Sequence, residues 1–191
     1  MANDDFLTGG RSLEDEYFRR RDQELLEKIR QASEADKARQ NMGAKTGVSN
    51  PEVIQALIDL GYNPETVVLL PLVPVVQMAW AEGGVSAAER DLIMKLARSR
   101  GVEPGSLAEE RLIESLTTRP SDRFFERVGN LISAVLASDS EVSKSITADD
   151  LVKHAEAIAA ASGGILGIGK ISAEERALLA SIAERVKGRT P

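Results

Sequence analysis

Apolar side chains recur at helical spacing along most of this chain. From Leu13 to about Arg39 there is no Gly or Pro, and Phe18, Leu25, Ile29 and Ala32 fall on a helical period among good helix formers. The pattern predicts one long amphipathic helix ending near Asn41, Met42 and Gly43. Gly47, Ser49 and Pro51 punctuate the next stretch, so residues 46–50 read as a linker. Asn50 stands before Pro51 as an N-cap stands before a proline at the first helical position, and a second group of helices begins there. Val53, Ile54, Leu57, Ile58 and Leu60 predict a short helix closed by Gly61. Asn63-Pro64 opens the apolar run Thr66 to Ala81, a buried helix kinked or interrupted by Pro71 and Pro74. Further helices are predicted over 86–100, 106–116, 121–138, 147–162 and 172–187. Ser86, Ser106, Ser121, Thr147 and Ser172 supply their caps, each with an acidic residue close downstream. No stretch alternates apolar and polar residues between turn signals, so the expected fold is all-α. It comprises a charged helical arm over 1–45 and an all-helical domain over 51–191.

The segment GVSAAERDLIMKLA, residues 84–97, aligns with KISAEERALLASIA, residues 170–183. Ser, Ala, Glu, Arg, Leu and Ala are identical at matching places, and Val85/Ile171, Ile93/Leu179 and Leu96/Ile182 are conservative. Two helix-turn-helix halves packed with approximate two-fold symmetry are the expectation. Each copy carries Ser-x-x-Glu, Ser86 with Glu89 and Ser172 with Glu175. That is the spacing of a capping box, in which the hydroxyl accepts from the third backbone amide and the carboxylate reaches back to the cap. The acid also favours the positive end of the helix dipole.

Charge and composition narrow the function classes. The 191 residues suit one compact domain plus an appendage. There is no cysteine, which excludes disulfides, zinc-thiolate sites and cysteine nucleophiles. A formal net charge of −6 opposes nucleic acid and anionic lipid as general partners. Residues 1–45 hold 10 acidic and 9 basic side chains and few large apolar ones, too few to form a core alone. The first residues, MANDDFLTGG, lack the basic and apolar regions of an export signal, and the expected location is cytoplasmic. Thr66 to Ala81 is shorter than the roughly 20 apolar residues a bilayer crossing takes, so no membrane insertion is expected.

Candidate chemistry is sparse. Glu82 and Glu89 in WAEGGVSAAERDLI suggest a metal pair, but Gly, Gly, Val, Ser, Ala and Ala between them supply few of the six to eight oxygens that calcium takes. A structural cap is the expected role of Glu89. GGILGIGK, residues 163–170, approaches a phosphate loop through Gly164, Gly169 and Lys170. Ile171 stands where Ser or Thr should bind magnesium, and a helix rather than a strand precedes it. His154 is the only histidine and has no companion constellation for catalysis. Trp80, Phe124 and Phe125 are expected in the core, and Arg111, Arg119, Arg123 and Arg127 on a solvated face. No cofactor and no enzymatic activity are expected.

Two resemblances add to this reading. The run AWAEGGVSAAERDLIMKLA is similar to the hallmark of the TerB-like (tellurite-resistance) family, roughly A-x-A-D-G-x-[IV]-S-x-x-E followed by an apolar helix. It recurs as GILGIGKISAEERALLASIA, and the resemblance spans about residues 51–187. It implies an all-helical fold with internal pseudo-symmetry, a link to tellurite and stress responses, and metal binding at Glu82 and Glu89. Glu82 stands where the family usually has Asp, and Ile168 takes that place in the second copy. Separately, SLEDEYFRRRDQELLEKIRQ resembles the inhibitory segment of the mitochondrial F1-ATPase inhibitor family, at Glu14, Tyr17, Phe18, Arg19, Glu24, Leu25 and Ile29. That resemblance implies a helix that inserts between catalytic subunits and blocks ATP hydrolysis. The histidine-rich region of the animal inhibitors is absent here.

The expectation from these features is a non-enzymatic regulatory or adaptor protein. Its N-terminal helix would bind a partner protein, an ATPase or, through the arm, a second copy in a homodimer. The alternative is a metal-ion or tellurite-stress protein acting through Glu82 and Glu89.

Overall fold

The computed structural model describes residues 4–138, 147–161 and 172–187, with side-chain surroundings for 16–138, 147–161 and 172–185. Among the described residues there are helices and no strands, and the fold is all-α. In chain order the elements are α1 (Asp4–Thr46), α2 (Pro51–Asp59), a 3-10 helix (Val67–Leu72), α3 (Val73–Ala79), α4 (Ala87–Ser99), α5 (Leu107–Thr117), α6 (Asp122–Leu136), α7 (Ala148–Ala161) and α8 (Ala173–Lys187). The chain divides into two compact units, Met1–Gln40 and Asn41–Pro191.

The first unit is helical from Asp4 onward, earlier than the predicted start at Leu13. Its described side chains are exposed apart from half-buried Arg39. Charged neighbours on the helix surface support it: Arg20 with Glu16 at 3.5 Å, Arg30 with Glu34 at 3.0 Å, and Arg39 with Asp36 at 2.5 Å. Such exposed pairs contribute only a few tenths of a kcal/mol each.

Within the second unit, the end of α1 corrects the predicted boundary. The helix runs past Gly43 to Thr46. A Cβ on Gly43 would lie 3.2 Å from Ile54 Cδ1 and 3.3 Å from the Val48 carbonyl oxygen, so this glycine permits close packing and is no stop signal. Gly47 is the terminator: with φ 68° it enters the left-handed region and donates its amide to the Gly43 oxygen at 2.8 Å. The stretch expected as a linker is anchored at two places, Thr46 and Val48, while Gly47, Ser49 and Asn50 are exposed. Met42, Thr46 and Val48 are buried, Thr46 Oγ1 donates to the Met42 oxygen at 2.8 Å, and the Val48 amide donates to Thr46 Oγ1 at 3.2 Å.

Local chemistry explains the next elements. Asn50 Oδ1 accepts from the Glu52 amide at 2.9 Å, and Pro51 lacks the amide that a first turn would leave unpaired. Asn63 Oδ1 accepts from the Glu65 and Thr66 amides, both at 2.9 Å, and so starts the apolar run. That run divides as expected from its prolines: Pro71 lies in the 3-10 helix and Pro74 in the first turn of α3. Val75, Val76, Met78 and Ala79 of α3 are all buried, because α3 packs against α7 most extensively and against α4, α6 and α8 as well. The stripe Phe125, Val128, Leu131, Ile132 and Val135 of α6 and Leu151, Ala155 and Ile158 of α7 close on it. Phe125 is fully buried, with Phe124 edge-on at 6.0 Å between ring centroids.

Candidate functional site

The predicted partner-binding residues lie on α1. Tyr17 and Phe18 are each 60% exposed, with ring centroids 5.8 Å apart in an edge-on arrangement. Arg19, Glu24, Leu25 and Ile29 are exposed too. Glu14 falls on the helix, but its side chain is outside the described residues. The helical period puts Phe18, Leu25 and Ile29 on one stripe with Leu26 and Tyr17 at its margins. Leu26 is exposed as well.

The acidic pair of the Trp80–Ser86 turn is placed very differently. Glu82 is exposed, whereas Glu89 is only 4% exposed. Glu89 Oε2 accepts from the Ser86 amide at 2.8 Å and Ser86 Oγ accepts from the Glu89 amide at 3.3 Å, a complete capping box. The second copy repeats it: Glu175 Oε2 accepts from the Ser172 amide at 2.7 Å, Ser172 Oγ accepts from the Glu175 amide at 3.1 Å, and Glu175 is 2% exposed. Among the described residues no group of three or more His, Asp or Glu side chains is arranged to hold a metal ion. Residues 163–170, and with them the phosphate-loop comparison and Ile168, lie outside the described residues.

Two arrangements were not anticipated from the sequence. The first is a groove of about 470 Å³ assembled from the end of α2, the 3-10 helix, α3, α5 and the start of α6. Buried Leu69, Leu72, Val76, Leu112 and Phe125 line it, while exposed Arg111, Glu114, Thr118 and Arg119 stand at its edge. Arg111 pairs with Glu114 at 3.1 Å and Arg119 with Asp122 at 2.5 Å; the Arg119 guanidinium also lies 5.9 Å from the Phe125 ring centroid. Tyr62 contributes to the same wall, and burial raises its phenol pKa, keeping it neutral. The far ends of α5 residues are held from behind. Trp80 Nε1 donates to the Ser115 oxygen and an Arg90 Nη2 to the Leu116 oxygen, both at 2.9 Å.

The second is a polar contact between α4 and α7. An Arg100 guanidinium nitrogen lies 3.3 Å from His154 Nδ1, and the Arg100 Nε is buried without a hydrogen-bond partner. Burial, and then the Arg100 charge, lower the His154 pKa against the opposing pull of Asp150. Asp150 itself is held below the usual carboxylate range by the hydroxyl and amide of Thr147, which it caps at the start of α7. Glu109 is lowered as well, first by the Gly105 amide that donates to it at 2.6 Å and then by Arg98. Neither arrangement follows from a short motif, since each joins segments far apart in the chain.

No protein-family model matches this chain, and no curated protein or solved structure matches it either. Among the described residues no helix is long and apolar enough to cross a membrane.

Proposed function

We propose that this chain is a non-enzymatic regulatory or adaptor protein whose N-terminal helix docks on a partner protein. The observation that carries the reading is the exposure of Tyr17 and Phe18 beside exposed Leu25, Leu26 and Ile29. Isolated apolar side chains on a surface are ordinary, but five between Tyr17 and Ile29 of a long, otherwise charged helix are concentrated. Aromatic anchors of this kind bury much area at small entropy cost, and the surrounding charges set orientation. An amphipathic helix laid into a groove is a recurrent recognition mode with anchors at helical spacing.

The likeness of residues Glu14 to Ile29 to the F1-ATPase inhibitor segment makes a rotary ATPase the specific partner to try. The full chain should slow ATP hydrolysis by such an enzyme, and the Tyr17→Ala/Phe18→Ala variant should not. In parallel, the immobilised full chain should capture a defined partner that the double variant fails to retain. Equal capture and equal inhibition by both chains would remove the anchors from the reading.

A further inference from the structure

We infer that the groove beside α5 and α6 is a small-molecule site for a single-chain alkyl carboxylate, which accepts a hydrogen bond from the Tyr62 hydroxyl and lays its chain on the apolar floor. The site lies wholly within the second unit and is separate from the docking role of the arm.

An unpaired donor marks the site. Tyr62 is only 9% exposed and lines the groove. Its backbone amide is engaged by the Leu57 oxygen at 3.0 Å, but its hydroxyl has no hydrogen-bond partner among the described residues. Among those residues the side-chain polar atom that is both unpaired and sealed from solvent is Arg100 Nε. The Tyr62 oxygen is therefore not sealed, and the open space that Tyr62 borders is the groove. Three other hydroxyls on the lining are engaged within their own segments. Thr66 Oγ1 donates to Asn63 Oδ1 at 3.1 Å, Ser115 Oγ donates to the Leu112 oxygen at 2.7 Å, and Ser121 Oγ accepts from the Phe124 amide at 3.2 Å. A buried phenol without an acceptor is unfavourable, and an oxygen brought in by a ligand removes that penalty.

The rest of the lining says what that oxygen is attached to. Leu69, Leu72, Val76, Leu112 and Phe125 offer only hydrocarbon, so the body of the ligand is apolar. The volume of about 470 Å³ falls within the range of roughly 300–1,000 Å³ typical of small-molecule sites. A partner helix keeps its carbonyl oxygens on its own ladder, whereas a carboxylate presents its acceptors at the tip of a chain. Charge points the same way. Arg111 and Arg119 line the groove against one carboxylate, Glu114, so the lining is net positive in a chain of formal net charge −6. The bonds of these arginines to Glu114 and Asp122 are exposed pairs three positions apart, which hold weakly. An ionised acceptor also makes the stronger bond to a hydroxyl donor.

The test is isothermal titration of the full-length chain with octanoate, and with 1-octanol as its uncharged counterpart, both below the concentrations at which they aggregate. Octanoate should bind saturably at one per chain, and octanol roughly tenfold more weakly or worse. Tyr62→Phe keeps the ring and removes the hydroxyl, so the dissociation constant for octanoate should rise by roughly tenfold or more. Without ligand its urea midpoint should not fall, because the hydroxyl gives up no bond within the fold. Arg111→Gln/Arg119→Gln should weaken octanoate and leave octanol unchanged. Absence of saturable octanoate binding overturns the inference, as does an affinity indifferent to Tyr62→Phe. Octanol binding as tightly as octanoate, or a ligand-free Tyr62→Phe chain that unfolds at lower urea, overturns it too.

Discussion

Arg100 approaches Nδ1 of His154 from 3.3 Å, across the contact between α4 and α7. Arginine can only donate, so the contact is a hydrogen bond only while Nδ1 carries no proton. Burial first and Arg100 second hold the imidazole pKa below its ordinary value, while Asp150 pulls the other way through its carboxylate and its backbone carbonyl. In the unfolded chain the same ring takes up a proton near its free value of about 6.5. The unfolded state therefore binds more protons in the window just below that value, and stability falls as pH falls. Above the window the contribution is fully present; it is lost down to the lower, folded value. Denaturant midpoints measured from pH 8 to pH 5 should show this decline, and His154→Asn should flatten it. Asp150 and Glu109, both lowered, lose their contributions only at more acidic pH, so the two phases separate. An identical slope in the asparagine variant would contradict this assignment to His154.

The two capping boxes should be close to equal in cost. Ser86→Ala and Ser172→Ala each remove an acceptor for one helix amide, worth about 1 kcal/mol. Glu89→Ala and Glu175→Ala should cost more, since each removes a buried carboxylate that accepts from the cap amide. Divalent cations should leave the Tm unchanged in the wild type and in Glu82→Ala alike. A metal-dependent rise in Tm that Glu82→Ala abolishes would favour the metal reading instead.

Gly61 closes α2 with φ 86°, its amide donating to the Ile58 oxygen at 2.9 Å and the Tyr62 amide to the Leu57 oxygen at 3.0 Å. This double-bonded stop needs a left-handed residue. No atom crowds the space where a Cβ would sit, so the cost of Gly61→Ala is conformational alone, about 1–2 kcal/mol. Urea unfolding checks it. A neutral result would mean that the loop re-forms around the alanine and shifts Tyr62 in the groove wall.

What was legible in the sequence was what depends on close neighbours. Ser86 and Glu89 are three residues apart, so their reciprocal bonds follow from spacing, as do Asn50 before Pro51 and the proline break between the 3-10 helix and α3. Gly43 shows the limit. A glycine near the end of a helical pattern has the same appearance whether it stops the helix or admits Ile54, and only the packed neighbour distinguishes the two. The groove needed the meeting of Leu72, Leu112 and Phe125, and the α4–α7 contact needed Arg100 to meet His154, separations that no periodicity encodes. The arm was legible for the opposite reason: its charge density and few apolar groups left Tyr17 and Phe18 no core of their own.

The groove wall itself depends on support from behind. The last carbonyls of α5 carry the negative end of its dipole and have no helical partner. Arg90 and Trp80 supply donors to two consecutive ones, at Leu116 and Ser115. Arg90 directly follows Glu89, so the turn that caps α4 also sends a guanidinium to the end of α5. Arg90→Met removes a charge-assisted bond and should cost about 1.5–3 kcal/mol; Trp80→Phe removes a neutral one and should cost about 0.5–1.5 kcal/mol from the bond alone. Together they unpair adjacent carbonyls, and the combined cost should exceed the sum because the last turn then frays as a unit. Thr118 and Arg119 lie just beyond that turn at the groove edge, so the double variant should also loosen the groove wall. Urea midpoints for the three variants check the costs and their non-additivity. Additive costs would show that the two donors hold the α5 terminus independently.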